Sequence, residues 1–265
     1  MRTAVEIYKL LPKTNCGTCG MPTCFGFAAK VASGQASIAA CATLGGAVKE
    51  EIAKEAASGG ASRGTVFEQT LAALRPKVAG LDFSRVARDF GADLVAPDRI
   101  EIEFLNERFI VTKERITGPS GAEPPAFISI LICNHLCMPD PPPVSGEWVT
   151  FSAVPAAHAK DKAWAGHVED VIANRFSGDV EGLKAACERL GGKKADVKGN
   201  HDAAYEFRFF PRYPALLLFY DAVPEEGFPA QCKLLLDRNA PRYLDIESMV
   251  VLGEEFAERL VNASR

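Results

Sequence analysis

Residues 204–237 read AYEFRFFPRYPALLLFYDAVPEEGFPAQCKLLLD, and their pattern is the strongest indication of the fold class of the chain. It contains three apolar runs rich in Phe, Tyr and Leu, separated by short connections that carry proline, aspartate or glycine. Apolar runs bounded by turn residues predict β-strands, and short connections favour antiparallel hairpins. We therefore expect neighbouring antiparallel strands at about residues 204–210, 215–222 and 230–237.

A second hairpin is predicted upstream, where residues 99–114 read RIEIEFLNERFIVTKE. Apolar and polar residues alternate on both sides of Asn106-Glu107, which predicts two strands and a turn. A further strand is expected in GEWVTFSAV, residues 146–154. Helical patterns surround these strands without forming regular βαβ units, which favours an α+β fold with a mainly antiparallel sheet. The predicted helices cover residues 65–80, 83–91, 125–138, 161–176, 179–192 and a closing segment from Asp245.

The first 57 residues show helical patterns and no strand pattern. Residues 1–57 are predicted to form a small helical domain, with short helices in AVEIYKLL, CFGFAAKVA and GAVKEEIAKEAAS. The next segment, SGGASRG at 58–64, is rich in glycine and serine, as linkers often are. The predicted organisation is thus a small helical domain (1–57), a linker (58–64) and a larger α+β domain (65–265).

Composition excludes several classes of protein. The chain has 265 residues, a net charge of −4 and a pI of about 5.7. This charge argues against a nucleic-acid-binding domain, which is usually basic on one face. No apolar run approaches the ~18 residues of a membrane span, and the N-terminus lacks the pattern of a secretory signal. We therefore expect a cytoplasmic protein without a membrane partner, in which structural disulfides are disfavoured.

Four cysteines stand close together near the N-terminus. Residues 15–24 read NCGTCGMPTC, and with Cys41 they give the spacing C-x2-C-x4-C-x16-C, formed by Cys16, Cys19, Cys24 and Cys41. Zinc sites usually take their ligands from two short motifs, each with a pair of ligands, that are far apart in the sequence. Here three cysteines share one stretch. An iron–sulfur cluster suits this arrangement, because one loop can supply three thiolates and a later segment the fourth. Gly17 and Gly20 allow the tight turns that such a loop needs, while zinc and disulfides remain the alternatives.

A longer stretch strengthens the cluster hypothesis. Residues 7–41, IYKLLPKTNCGTCGMPTCFGFAAKVASGQASIAAC, resemble the N-terminal cluster domain of the corrinoid iron–sulfur protein large subunit, part of the acetyl-CoA decarbonylase/synthase system of anaerobes. The resemblance covers about residues 4–57. It implies one [4Fe–4S] cluster, held by Cys16, Cys19, Cys24 and Cys41, that passes single electrons to a cobalt corrinoid. That subunit continues into a barrel and a corrinoid-binding domain, and this chain has no room for both.

The remainder of the chain carries a second resemblance. The stretches GEWVTF, FFPRYPALLLFYDA, EEGFPAQCKLLLDRNAPRYLDIESM and LGEEFAERL are similar to the family catalogued as domain of unknown function 3786. This resemblance covers residues 65–262 and implies no established activity.

Within this larger domain we single out three candidate cofactor-binding residues. Cys133 and Cys137 are four residues apart in ICNHLCMPD, so they share one face of the predicted helix. Two thiols on one face can hold a metal or form a redox disulfide, although buried cysteines often only pack. His158 follows a proline-containing loop and is the third candidate. His135 is expected on the opposite face and is not taken as a ligand.

Two functions follow from these patterns. In the first, the chain is an iron–sulfur electron-transfer protein that delivers low-potential electrons to a cofactor, such as a corrinoid, in its second domain or on a redox partner protein. In the second, the larger domain is a corrinoid- or other tetrapyrrole-binding module, or a small redox enzyme, with the cluster as internal relay. A purely structural cluster is a third alternative. Electron transfer is favoured over independent catalysis, because no arrangement of residues indicates a hydrolytic site.

Overall fold

The structure of the chain is a computed structural model, and it divides into two compact units, residues 1–69 and 70–265. It describes residues 4–14, 16–19, 21, 23–32 and 36–264, with backbone alone at residues 4, 5, 29, 32, 47, 51 and 53–65.

The N-terminal unit is helical, as its sequence predicts. It contains α1 (Ala4–Leu10), α2 (Cys24–Ala32), a 3₁₀ turn (Ile38–Ala40) and the first part of α3 (Gly46–Ala79). Apolar residues spaced three and four apart along the helices point inward and form a small core. Its buried residues are Ile7, Leu11, Cys24, Phe27, Ala28, Val31, Ile38, Cys41, Leu44 and Ile52.

Residues 58–64, the predicted linker, lie inside α3. The backbone is helical throughout this segment, and the boundary between the two compact units falls between residues 69 and 70. Glycines at 59, 60 and 64 each lower the helix propensity of the segment by about 1 kcal/mol relative to alanine. The secondary structure therefore differs from the expected linker, whereas the division into domains at 58–64 stays a prediction.

The first sheet of the C-terminal unit is an antiparallel meander that contains the predicted upstream hairpin. The turn of that hairpin lies at Leu105 and Asn106, which have φ of +47° and +65°, so Glu107 belongs to the strand. The expected turn at Asn106-Glu107 was wrong by one residue, because the Leu105 side chain is buried and its N–H donates to the Phe209 carbonyl at 3.0 Å. The strands are β1 (Asp93–Ala96), β2 (Arg99–Phe104), β3 (Glu107–Thr112) and β4 (Ile116–Thr117), in the order β1-β2-β3-β4.

The second sheet is built on the three apolar runs between residues 204 and 237. At its centre Leu217 pairs with Tyr205 on one side and Leu234 on the other, and all three side chains are buried. The strand expected at 146–154 is reduced to two residues, because a 3₁₀ turn begins at Phe151. The strands are β5 (Trp148–Val149), β6 (Lys193–Lys194), β7 (Ala203–Phe210), β8 (Tyr213–Tyr220) and β9 (Gln231–Asp237), all antiparallel in the order β5-β9-β8-β7-β6.

Helices complete the α+β architecture that the sequence predicts. Asp179, the predicted N-cap, accepts a hydrogen bond from the Gly182 N–H at 3.0 Å, which satisfies a free helix donor. The closing helix buries Met249, Leu252 and Phe256, as its periodicity indicates. The helices are α4 (Phe83–Phe90), α5 (Ala126–Leu136), α6 (Asp161–Trp164), α7 (Asp170–Phe176), α8 (Val180–Arg189) and α9 (Ile246–Ala263), with a π-helical turn (Ala165–Glu169) between α6 and α7.

Over the part of the chain that the structure describes, none of the helices combines the length and the apolar character needed to cross a bilayer.

Candidate functional site

The four N-terminal cysteines differ in their exposure. Cys24 is the first residue of α2 and is 8% exposed, and Cys41 follows the 3₁₀ turn and is 5% exposed. Cys19 is half-buried and packs against the same small core, whereas Cys16 is exposed. None of the four forms a disulfide. Three of the four predicted ligands therefore belong to one core, with the fourth at its surface.

The donor chemistry of these residues fits an iron–sulfur cluster, although their side chains do not form a closed ligand set. Searched across the described residues, no group of three or more His, Cys, Asp or Glu side chains is arranged to hold a metal ion. Four cysteines, three at one small core and the exposed Cys16, are nevertheless the donor set that a cluster requires. Cys16, Cys19, Cys24 and Cys41 would hold it.

The backbone and hydrogen bonds around Cys16 suit an exposed thiolate. Gly17 has φ of +73°, a left-handed conformation that favours glycine. The Thr18 hydroxyl donates to the Cys16 sulfur at 3.3 Å. This hydrogen bond is the largest cause that lowers the pKa of Cys16 to about 7. Gly20, the other glycine expected to shape the loop, lies outside the described residues.

Cys133 lies on α5 in the core of the C-terminal unit, and Cys137 is the C-cap residue that directly follows α5 and packs against that core. Cys133 is 2% exposed, and burial raises its pKa to about 12. Cys137 is half-buried, and burial raises its pKa as well. Because a metal ligand or nucleophile must be a thiolate, this environment favours packing. Their role in cofactor binding stays a prediction.

Cys133 also borders a pocket. It lines this pocket together with the buried Ser129 and three cationic side chains, those of Arg75, Lys113 and Arg115. Two of these cations already have partners, because Arg75 pairs with Glu123 at 3.5 Å and Lys113 donates to the Leu81 carbonyl.

His158, the third candidate, is exposed in the 3₁₀ turn Ala157–Ala159. It makes no hydrogen bond or ion pair to other described residues. Its assignment as a ligand stays a prediction.

His135 is the polar residue whose environment the sequence indicated least well. It is fully buried, its ring stacks on Phe210 at 3.8 Å, and its Nδ1 lies 2.9 Å from the Tyr243 carbonyl. Burial lowers the pKa of His135 to about 3, so the ring is neutral and Nδ1 donates to that carbonyl. Nε2 has no hydrogen-bond partner among the described residues. We interpret His135 as a core residue that stabilises the packing of α5.

Two buried carboxylates were not predicted from the sequence. Glu169 accepts from the Lys233 ammonium at 2.7 Å and from the Leu234 N–H at 3.2 Å. Asp237 accepts from the N–H groups of Ser145 and Gly146 and from the Ser145 hydroxyl. These bonds tie the π-helical turn to β9 and tie β9 to the loop before β5. Both carboxylates have the hydrogen-bond partners expected of structural residues.

Comparison with known proteins first concerns the N-terminal unit. The family described as "Putative Fe-S cluster" matches residues 11–42. The chain is 51% identical over 55 residues to the corrinoid/iron-sulfur protein large subunit of Moorella thermoacetica, and 52% identical over 42 residues to the acetyl-CoA decarbonylase/synthase complex subunit gamma of Methanocaldococcus jannaschii. It is 46% identical over 68 residues to a subunit of the ion-translocating oxidoreductase complex of Rhodobacter capsulatus. The predicted resemblance to an iron–sulfur domain is thus confirmed.

These relatives share only a segment with the chain. The matches cover 21%, 16% and 24% of this chain, and 12%, 9% and 34% of the three relatives in the same order. No solved structure matches the chain. The similarity therefore concerns the cysteine-bearing region.

The C-terminal unit accounts for the larger family match. The family described as Domain of unknown function (DUF3786) matches residues 82–259, which include α4 to α8, both sheets and most of α9. Because this match covers more than half of its residues, the chain belongs to the DUF3786 family.

Proposed function

We propose that the chain is a cytoplasmic electron-transfer protein whose Cys16, Cys19, Cys24 and Cys41 hold one [4Fe–4S] cluster. When bound, such a cluster accepts and donates one electron at a time. The observation that carries the proposal is a set of four cysteines, none of them in a disulfide, within a segment similar to iron–sulfur proteins. The acceptor is a cofactor, such as a corrinoid, in the C-terminal unit or on a partner protein.

The residues of the N-terminal unit have distinct tasks in this proposal. Cys24 and Cys41 supply thiolates from the core, where apolar neighbours limit the access of water. Cys16 supplies one from the surface, and the Thr18 hydroxyl donates to its sulfur. Hydrogen bonds to the ligand sulfurs and solvent exposure are two of the factors that set the potential of a cluster.

The experiment is an anaerobic purification of the full chain followed by iron and sulfide analysis. We expect about four of each per chain, the stoichiometry of a cubane cluster. Reduction with dithionite should bleach the visible absorbance and give an electron paramagnetic resonance signal. Cys24→Ala should lose or convert the cluster, whereas Cys187→Ala, a buried cysteine of the C-terminal unit, should leave iron and sulfide unchanged. Stoichiometric zinc without sulfide would contradict the proposal.

The same preparation tests the second function, a corrinoid- or tetrapyrrole-binding module. A corrinoid or tetrapyrrole band that remains after subtraction of the cluster absorbance would favour that alternative. Absorbance from the cluster alone favours delivery of electrons to a partner.

A further inference from the structure

Phe25 is an exposed aromatic residue next to a buried cysteine. Its side chain is 50% exposed, although it directly follows Cys24, which is 8% exposed. The apolar residues of α2 that enter the core are Phe27, Ala28 and Val31. Phe25 instead meets the edge of the Tyr8 ring, with ring centroids 5.4 Å apart and an interplanar angle of 84°.

A lysine completes this surface. The Lys13 ammonium lies over the Tyr8 ring, 5.5 Å from its centroid. Lys13 has φ of +59°, a left-handed conformation that is uncommon for lysine and costs free energy. Non-glycine residues held in this region often occur at functional sites. Contacts with the Tyr8 ring therefore join three residues, Tyr8, Lys13 and Phe25. We call these three residues the Phe25 patch.

The sequence around the Phe25 patch contains more basic than acidic residues, although Glu6 on α1 is also exposed. Between Glu6 and Glu50 the sequence contains four lysines and no Asp or Glu, although the whole chain has a net charge of −4. Two of these lysines, Lys9 and Lys13, are exposed in the part of the chain nearest the patch. A cluster held by the four cysteines would place negative charge on the buried Cys24 and Cys41 and also on the exposed Cys16, whereas Lys9 and Lys13 present positive charge to the solvent.

The patch borders two of the residues assigned to the cluster. Phe25 follows Cys24 directly, and Lys13 precedes Cys16 by three residues. A partner that covered the patch would thus approach both ligands.

We infer that the Phe25 patch is the docking surface for an acidic redox protein, an inference that rests on the proposed function. Phe25 would enter an apolar depression of the partner, because aromatic residues at the centre of an interface supply much of its affinity. Lys9 and Lys13 would face carboxylates of the partner, which accelerates association and lowers affinity as salt rises.

The test measures binding of the oxidised full chain to an acidic [2Fe–2S] ferredoxin as probe. Calorimetry at low and high ionic strength gives the affinity and its salt dependence without electron transfer. We expect Phe25→Ala to weaken binding about tenfold, the change that corresponds to about 1.4 kcal/mol. Lys13→Gln should weaken binding about threefold and reduce the salt dependence.

Two matched controls lie in the C-terminal unit. Phe228 is also an exposed aromatic residue, at 57%, and Lys162 is also exposed. Phe228→Ala and Lys162→Gln should leave the affinity within about twofold. Basic cytochrome c should bind much more weakly than the ferredoxin.

Several outcomes would overturn the inference. The first is that the wild-type chain does not bind the ferredoxin. The second is that the Phe25→Ala and Lys13→Gln variants bind it as tightly as wild type does. The third is that cytochrome c binds the chain as tightly as the ferredoxin does. Self-association that depends on Phe25, without ferredoxin binding, would assign the patch to a second copy of this chain. If iron and sulfide are present and binding is unchanged in the variants, the docking inference alone fails. If the wild-type chain holds no cluster, the proposed function fails first.

Discussion

The two units of the chain differ in what stabilises them. The C-terminal unit has a large core in which aromatic side chains from β7, β8 and α9 meet, such as Phe209 and Phe256 at 4.8 Å. The N-terminal unit has a small core to which Cys24 and Cys41 belong. Domains with so few buried residues usually need a metal or a disulfide, since apolar burial alone scarcely offsets the loss of chain entropy. From this comparison we expect the N-terminal unit to depend on a cluster for its stability and the C-terminal unit to be stable without one.

Removal of the cluster should destabilise the N-terminal unit and leave the C-terminal unit unchanged, which is the largest difference we expect between them. We expect the Cys24→Ala variant to lose hydrogen-exchange protection in α1 and α2, because metal binding contributes directly to the folding of small metal domains. Protection in β7 and β8 should stay unchanged. Exchange measured by mass spectrometry on wild type and variant checks both units at once. Full protection of α1 and α2 in a cluster-free variant would contradict the difference between the units.

Acidification should destabilise the C-terminal unit through His135. Its pKa is about 3 in the folded chain, against an ordinary value of 6.5. In the unfolded chain His135 therefore binds a proton below about pH 6.5, whereas in the folded chain it stays neutral down to about pH 3. Stability falls as pH decreases through this window, and at pH 5 the loss from this group is about 2 kcal/mol.

Tryptophan fluorescence gives the measurement, because Trp148 and Trp164 both lie in the C-terminal unit. Urea unfolding should give a smaller pH dependence between pH 7 and 5 for His135→Phe than for wild type. His158→Gln, at an exposed histidine, serves as control. An unchanged slope in His135→Phe would show that the buried ring does not cause the acid sensitivity.

The last prediction, for which we expect no change in the cluster, concerns Cys133 and Cys137. If they only pack, Cys133→Ala should lower the free energy of unfolding by about 1–3 kcal/mol, and Cys137→Ala by less, since it is less buried. Iron, sulfide and the visible spectrum should not change. A double variant that keeps its stability but loses bound metal or alters the spectrum would instead give the C-terminal unit a cofactor of its own.

Much of the fold could be predicted because local patterns and tertiary packing agree. The strands β7, β8 and β9 follow from apolar runs and turn residues, and α9 buries the residues that its periodicity selects. One error occurs where a distant contact prevails, and another where a local 3₁₀ turn ends a strand early. The β2–β3 turn moves by one residue because Leu105 is buried and bonds to Phe209, and the strand at 146–154 shortens at a 3₁₀ turn.

Residue order and short-range periodicity are enough to give the cysteine spacing, the α+β class and the two family resemblances. Tertiary packing places Phe25 in solvent beside the buried Cys24, and the Lys13 ammonium over the Tyr8 ring. It also decided that His135 is neutral in the core and that Glu169 pairs with Lys233. The physical reason is that burial and charge pairing depend on segments far apart in the chain, which no local pattern specifies.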